Sequence, residues 1–313
     1  MIPRMKKEGY PEGHATALVA CSSVLALLIP PSIPMIIFSI TGGLSVGAAF
    51  LSTIIPGIML TIIYCGLNFW FLRNNTDIKV EPTLPFKQAV RGVVHSGNKA
   101  FFALLMPIII LGAIYSGIAT PTEAAAIAVI YAIPVSLMIY KGLTFRTLGS
   151  ATVRAVVMTG SIMAVLFFLF IMSRAMILEQ VPKQLAEALL DISEHKLVIL
   201  LVINLLLLLI GMIVDDISGG VLAAIIFLPV VTELGIHPIH FAAIVGVNLG
   251  LGNVSPPCAP MLYMAGGVAK LPLDKYIVPT VKLLFFGHLP MVLLVTFVPD
   301  LALYLPRLLM GIE

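Results

Sequence analysis

The chain has 313 residues, of which 60% are hydrophobic and 11% charged, with a net charge of +3 and a mean hydropathy of +1.10. A soluble domain carries about 25% charged residues, so composition excludes a soluble globular fold and points to an all-α polytopic membrane protein. The small net charge sits in connecting segments, which gives no reason to expect a nucleic-acid partner.

The first ten residues are polar, with Arg4, Lys6 and Lys7, and lack the apolar core of a cleavable signal. A broken helix is expected over residues 14–41. Its interruption is Ile29-Pro30-Pro31-Ser32-Ile33-Pro34-Met35. Three prolines in five positions cannot continue a helix, because each lacks the backbone donor and its ring clashes with the preceding turn. Gly42-Gly43 is a turn, and Val46 to Leu72 is a full span. Arg73 to Lys99 is a polar connection. Within it, Pro85 to Val94 places Phe86, Ala89, Val90 and Val93 on one helical face, which predicts a surface helix. Ala100 to Gly117 spans next.

Thr120-Pro121-Thr122-Glu123 reads as a capping box with proline at the first helical position, opening a helix to Tyr140. Lys141 to Arg154 is a basic connection, Ala155 to Ile177 a span, and Glu179 to Lys196 a polar surface helix. Leu197 to Val214, with Asn204 inside it, and the apolar run to Val231 flank Asp215-Asp216-Ile217-Ser218-Gly219-Gly220. With no basic residue at that break, the two arms read as a re-entrant hairpin. A second broken helix follows over 241–269. Its break is Ser255-Pro256-Pro257-Cys258-Ala259-Pro260-Met261, the same x-Pro-Pro-x-x-Pro-Met pattern 226 positions after the first. Lys270 to Lys275 is a turn, Tyr276 to Val298 the last span, and an amphipathic tail reaches Glu313.

With each broken helix counted as one crossing and the hairpin as returning to its own side, fourteen of the 18 Lys and Arg fall on one face of the membrane. That face is expected to be cytoplasmic. Unwound backbone at membrane depth survives only when buried in protein or lining a polar cavity. Paired breaks at matching positions of two repeats point to a transporter binding site. Around the breaks lie Ser22, Ser23, Ser32, Asn248, Asn253 and Ser255, and at the hairpin Asp215, Ser218, Gly219 and Gly220. Hydroxyls, amide oxygens and carbonyls freed at Leu28, Ile29 and Val254 suit a hard monovalent cation such as sodium. Helix N-termini at the breaks suit a substrate carboxylate, with Pro31, Ser32, Gly220 and Pro257 as the substrate-side candidates. Any one of these polar residues could instead be a helix–helix hydrogen bond.

No His-Glu-x-x-His or Walker motif is present. Asp215 and Asp216 would point about 100° apart on a helix, so they are not a facing acid pair. Cys21, Cys65 and Cys258 lie in apolar runs and read as buried small hydrophobes, not a disulfide framework or a metal set. No cofactor is expected beyond sodium as a coupling ion.

Several stretches in combination resemble the large membrane subunit of tripartite ATP-independent periplasmic (TRAP) transporters, of the dicarboxylate-transporter-M type. They are Lys7-Glu8-Gly9-Tyr10, Leu28 to Met35, Thr120 to Ala126, Leu178 to Pro182, Gly211 to Asp215 and Asn248 to Pro257. The resemblance implies a sodium-coupled, inverted-repeat elevator in a bacterial inner membrane. It also implies a small membrane subunit, a periplasmic substrate-binding protein and an organic-acid substrate such as a C4-dicarboxylate or sialic acid. On that reading, 1–41 is the first-repeat part of the transport domain and 42–154 the scaffold. Residues 155–275 form the second-repeat transport domain, with hairpin 197–232, and 276–313 the final span and tail. The resemblance further implies upstream spans and a first hairpin that this sequence does not contain. Asp216, Asn253 and Cys258-Ala259-Pro260 depart from the residues expected there. Two other readings stay open: a truncated, non-transporting product, and an intramembrane enzyme with Asp215 as its acid.

Overall fold

A computed structural model of the chain describes residues 1–79, 85–193 and 195–311; the side chains of Phe86, Lys87, Ala89 and Ile192 are outside it. Among the described residues the regular structure is helical. Seven helices are long and apolar enough to cross a membrane, or eight if the bent pair Glu12–Leu28 and Ile33–Thr41 is one span. The chain divides into two compact units, Met1–Lys79 with Phe168–Glu313, and Val80–Phe167.

The larger unit begins with a short helix, α1 (Ile2–Lys7). The first broken helix follows as α2 (Glu12–Ser23), one further turn α3 (Leu25–Leu28), and α4 (Ile33–Thr41), bent by 42° across the break. Helix α5 (Val46–Leu72) runs through Pro56 without ending.

In the smaller unit, α6 (Phe86–Tyr115) is one continuous helix. This corrects the expectation of a surface helix followed by a separate span. Gly92 and Gly97 each cost about 1 kcal/mol in a helix but do not forbid it, and no proline lies between them. Val90 and Val93 are exposed; the expected partners on their face, Phe86 and Ala89, have side chains outside the described residues, as does the 80–84 part of the polar connection. Helix α7 (Pro121–Pro134) continues as a π-helical turn to Ile139. Its capping box forms as expected. Glu123 N–H donates to Thr120 Oγ1 at 3.3 Å, and Thr120 N–H donates to Glu123 Oε2 at 2.7 Å. Tyrosines tie α7 and its extension to α6: Tyr131 donates to the Phe102 carbonyl and Tyr140 to the Lys99 carbonyl, both at 2.8 Å.

Helix α8 (Phe145–Leu178) starts ten residues earlier than expected and absorbs most of the basic connection. The missed signal is Thr144-x-x-Thr147, whose hydroxyls each accept the other's backbone N–H at 2.8 and 3.2 Å. Its end and everything after it belong to the larger unit. The chain reverses through Gln180, in the left-handed region, into the amphipathic helix α9 (Val181–Ile192).

Two arms follow, α10 (Lys196–Ile213) and α11 (Asp216–Leu222), which runs through a π turn into α12 (Leu228–Glu233). They fold back on each other. A Cβ at Gly235, just past α12, would lie 3.2 Å from Lys196 Nζ at the start of α10. The second broken helix is α13 (Pro238–Val254) and α14 (Pro260–Ala269). His237 caps α13, its Nδ1 accepting from Ile239 N–H at 3.1 Å. Burial, and after it the nearby Arg307 charge, hold this imidazole below the usual histidine range, which keeps it a neutral acceptor. The last span is α15 (Ile277–Leu283), a π turn, and α16 (Leu289–Phe297). Helix α17 (Asp300–Met310) then packs back on α5, with Leu303 beside Ala48 and Ile239.

Helix α13 is the centre of the larger unit, with every residue from Ile239 to Val254 buried. Neighbours approach it through missing side chains. A Cβ on Gly252 would collide with the backbone of Gly211 on α10, whereas one on Gly219 would meet only side-chain atoms, of Leu249 at 2.8 Å and Ile210 at 3.5 Å. Backbone cannot yield as a leucine tip can. Gly252→Ala should therefore lower stability by about 1–3 kcal/mol, and Gly219→Ala by clearly less. Apparent Tm values of the two variants in detergent check this order.

Candidate transport site

Proline chemistry builds both breaks. After α3 the chain is extended at Ile29 and Ser32, and Pro34 sits inside the first turn of α4. After α13 it is extended at Ser255, and Ala259 in the left-handed region leads into Pro260. The peptide bonds Pro30-Pro31 and Pro256-Pro257 are both cis. Within the two motifs, the second prolines, Pro31 and Pro257, are exposed.

Glycines seat the first break. Gly57 on α5 leaves 3.2 Å between its missing Cβ and both Leu28 and Ile29, and Gly246 on α13 leaves 3.4 Å to Leu28 and Met35. At the second break, Cys258 N–H donates to the Met212 carbonyl at 3.2 Å and the Tyr263 hydroxyl to the Pro257 carbonyl at 3.0 Å. Of the cysteines expected to be buried, Cys21 is, whereas Cys258 in the break and Cys65 on α5 are exposed.

The hairpin turn is shorter than the Asp215–Gly220 break expected from sequence. Only Val214 and Asp215 lie outside helix; Ser218, Gly219 and Gly220 are already helical and buried. Asp215 is an N-cap, its carboxylate accepting the N–H groups of Ile217 and Ser218 at 3.1 and 3.2 Å. This turn meets both breaks. On one side, Gly211 touches Gly252, and the Met212 carbonyl holds Cys258. On the other, Gly219 faces Leu249, and Gly220 lies with its missing Cβ 3.7 Å from the Pro34 carbonyl of α4. Ser218, Gly219 and Gly220 thus lie on the arm that meets α4 after the first break and α13 before the second; Val254 and Ser255 close α13, and Leu28 and Ile29 pack on α5 and α13 at Gly57 and Gly246.

The polar candidates divide by what they already bond. The Ser255 hydroxyl donates to the Leu251 carbonyl at 2.8 Å, and the Ser23 hydroxyl to Ala20 at 2.6 Å. Ser22 lines a cavity of about 120 Å³ with Thr61, Tyr64 and Asn68 of α5, and the hairpin contributes nothing to that lining. Asn248 donates to Asn204 Oδ1 at 2.7 Å, and Asn204 donates to Thr296 Oγ1 at 2.8 Å. That buried chain links α13, α10 and α16 as interhelical hydrogen bonds do. Asn253 and Ser32 differ. Each is 1% exposed, and Asn253 Oδ1, Asn253 Nδ2 and Ser32 Oγ are buried without a partner. Asn253 follows Gly252 and lies one helical turn beyond Leu249, so it shares the α13 face that meets the hairpin.

Sequence reasoning noted Asn204 but not its chain, and missed two buried histidines. His288 bonds the Val247 carbonyl at 2.9 Å and the Tyr64 hydroxyl at 3.1 Å, and His240 bonds the Val295 carbonyl at 2.8 Å. Their signal was present, since a histidine inside an apolar run needs a partner. No group of three or more His, Cys, Asp or Glu able to hold a metal ion occurs among the described residues.

Two helices broken by one proline motif, converging on a hairpin turn inside an all-α polytopic chain, define a membrane protein of the secondary-transporter class. The family model described as "Tripartite ATP-independent periplasmic transporter, DctM component" matches residues 1–301, and the chain belongs to that family. It is 33% identical over 317 residues to the sialic acid TRAP transporter large permease protein SiaM of Vibrio cholerae, covering 99% of this chain and 71% of that one. To the C4-dicarboxylate large permease DctM of Pseudomonas aeruginosa it is 31% identical over 306 residues, 98% of this chain and 70% of that one. To the isethionate TRAP transporter permease protein DctMQ of Oleidesulfovibrio alaskensis it is also 31% identical, over 97% of this chain. The chain spans 47% of the length of DctMQ. Membership makes it a multi-pass inner-membrane permease of the large-subunit type and not an enzyme.

The two asparagines should part in a stability assay. Asn248→Leu breaks the buried chain and should cost about 0.6–2 kcal/mol. Asn253→Leu removes an unpaired buried amide and should leave stability unchanged or raise it by about 1 kcal/mol. Thermal unfolding of both variants in the same detergent decides.

Proposed function

We propose that this chain works as the permease of a sodium-coupled, binding-protein-dependent importer of an organic acid, and that the ion and substrate occupy the space between the two breaks and the hairpin turn. The observation that carries the proposal is the pair of polar side chains, Ser32 and Asn253, buried beside the breaks with no partner. A buried unpaired amide costs about 1–3 kcal/mol, which a bound ion or substrate would offset. An amide oxygen and the freed carbonyls of Leu28, Ile29 and Val254 suit sodium, and the N-termini of α4 and α14 suit a carboxylate. Asp215 and Ser218 contribute at the hairpin. Isethionate, sialic acid and C4-dicarboxylates, named for the relatives, are all organic acids. Membership implies a small membrane subunit and a periplasmic binding protein as partners. In this mechanism the hairpin and broken helices move together against a scaffold, as an elevator.

Uptake of the organic acid by the complete assembly, with both partners and any upstream segment, should stop when choline replaces sodium. Asn253→Leu should cut uptake at least about tenfold, equivalent to about 1.4 kcal/mol, at normal folded yield. Uptake indifferent to sodium would overturn the coupling, and full uptake by the folded variant would remove Asn253 from the site.

A further inference from the structure

Away from the breaks, the larger unit contains a cavity of about 850 Å³, within the range of about 300–1,000 Å³ usual for ligand sites. Its apolar lining comes from Phe170 and Ile177 near the end of α8 and from Ile225 and Leu228 on the outer arm of the hairpin. Lys183, at the start of α9, and Glu233, at the end of α12, bring opposite charges to it. These elements are the ends of apolar helices. On the topology expected from the Lys and Arg count they share the face opposite the basic connections, which would set the cavity where hydrocarbon gives way to headgroups.

Lys183 and Glu233 do not form an ion pair with each other. The ion pairs found among the described residues are Lys6–Glu12 and Arg307–Asp300, and both cavity charges are exposed. An apolar wall with a separate cation and anion matches an amphiphile carrying both charges. We propose that this cavity holds a phospholipid with an ethanolamine headgroup, phosphate on Lys183, ammonium on Glu233, and acyl chains along Phe170, Ile177, Ile225 and Leu228. An anionic glycerol headgroup would bring no cation for Glu233. A choline headgroup has no N–H to donate to that carboxylate. Such a lipid would pack under α9, which rests on the hairpin arm and has Ala186 and Leu189 buried.

The test is native mass spectrometry of the purified full chain equilibrated with equal amounts of phosphatidylethanolamine, phosphatidylcholine and phosphatidylglycerol. One ethanolamine lipid should be retained with about tenfold preference, the worth of one charge-assisted hydrogen bond. Glu233→Gln should abolish the preference over phosphatidylglycerol, and Lys183→Gln should lower retention of all three. Ile225→Trp, which fills the cavity without touching a charge, should expel the lipid. Glu233→Gln and Lys183→Gln alter exposed side chains, so they remain informative if the tryptophan variant misfolds. Retention without headgroup preference, or a preference unmoved by Glu233→Gln, overturns the proposal. Displacement by glycerophosphoethanolamine, which has no acyl chains, would assign the cavity to a soluble ligand and also overturn it.

Discussion

Everything in the larger unit follows from one constraint: a peptide group at membrane depth must find a partner within the protein. The two Pro-Pro motifs make helix impossible at two points, leaving extended backbone at Ile29, Ser32 and Ser255. The fold answers by surrounding those points. Helix α13 supplies a glycine-bearing surface to both, α5 closes on the first through Gly57, and the Met212 carbonyl pairs with Cys258 N–H at the second. The hairpin turn fits between because Gly211 and Gly219 carry no side chain to hold it off.

The buried polar groups along α13 fall into two kinds, bonded and unbonded. Asn248 lies in a fully bonded chain to Asn204 and Thr296, and His288 is bonded at both ring nitrogens. These polar groups hold helices together in a setting where apolar contact with lipid is no worse than contact with a neighbouring helix. Just over one turn further on, Asn253 has no partner. The ion or substrate proposed for this site would give that amide the partner it lacks.

Much of this was legible in the sequence. The Val46 to Leu72 span matches to the residue, the capping box at Thr120 forms, and both breaks fall on their prolines, because proline and capping chemistry act locally. Continuity was harder to read. The charged and polar residues up to Lys99 suggested a connection separate from the next span, but polarity does not end a helix and α6 runs through it. The sequence break Asp215–Gly220 suggests a six-residue tip, but Asp215 caps a helix that starts at once. Of the polar candidates, spacing along the chain could not separate Asn248 from Asn253. Only the third dimension shows that one is bonded to α10 and the other is not.

Amide hydrogen exchange on the purified protein, compared in sodium and in choline, tests the central claim most directly. If the breaks and the hairpin turn enclose one site, sodium should slow exchange together in segments 28–34, 212–220 and 252–260, while α6 and α7 are unchanged. Exchange that sodium leaves unaltered in all three segments, or slows in one of them alone, would contradict a shared site.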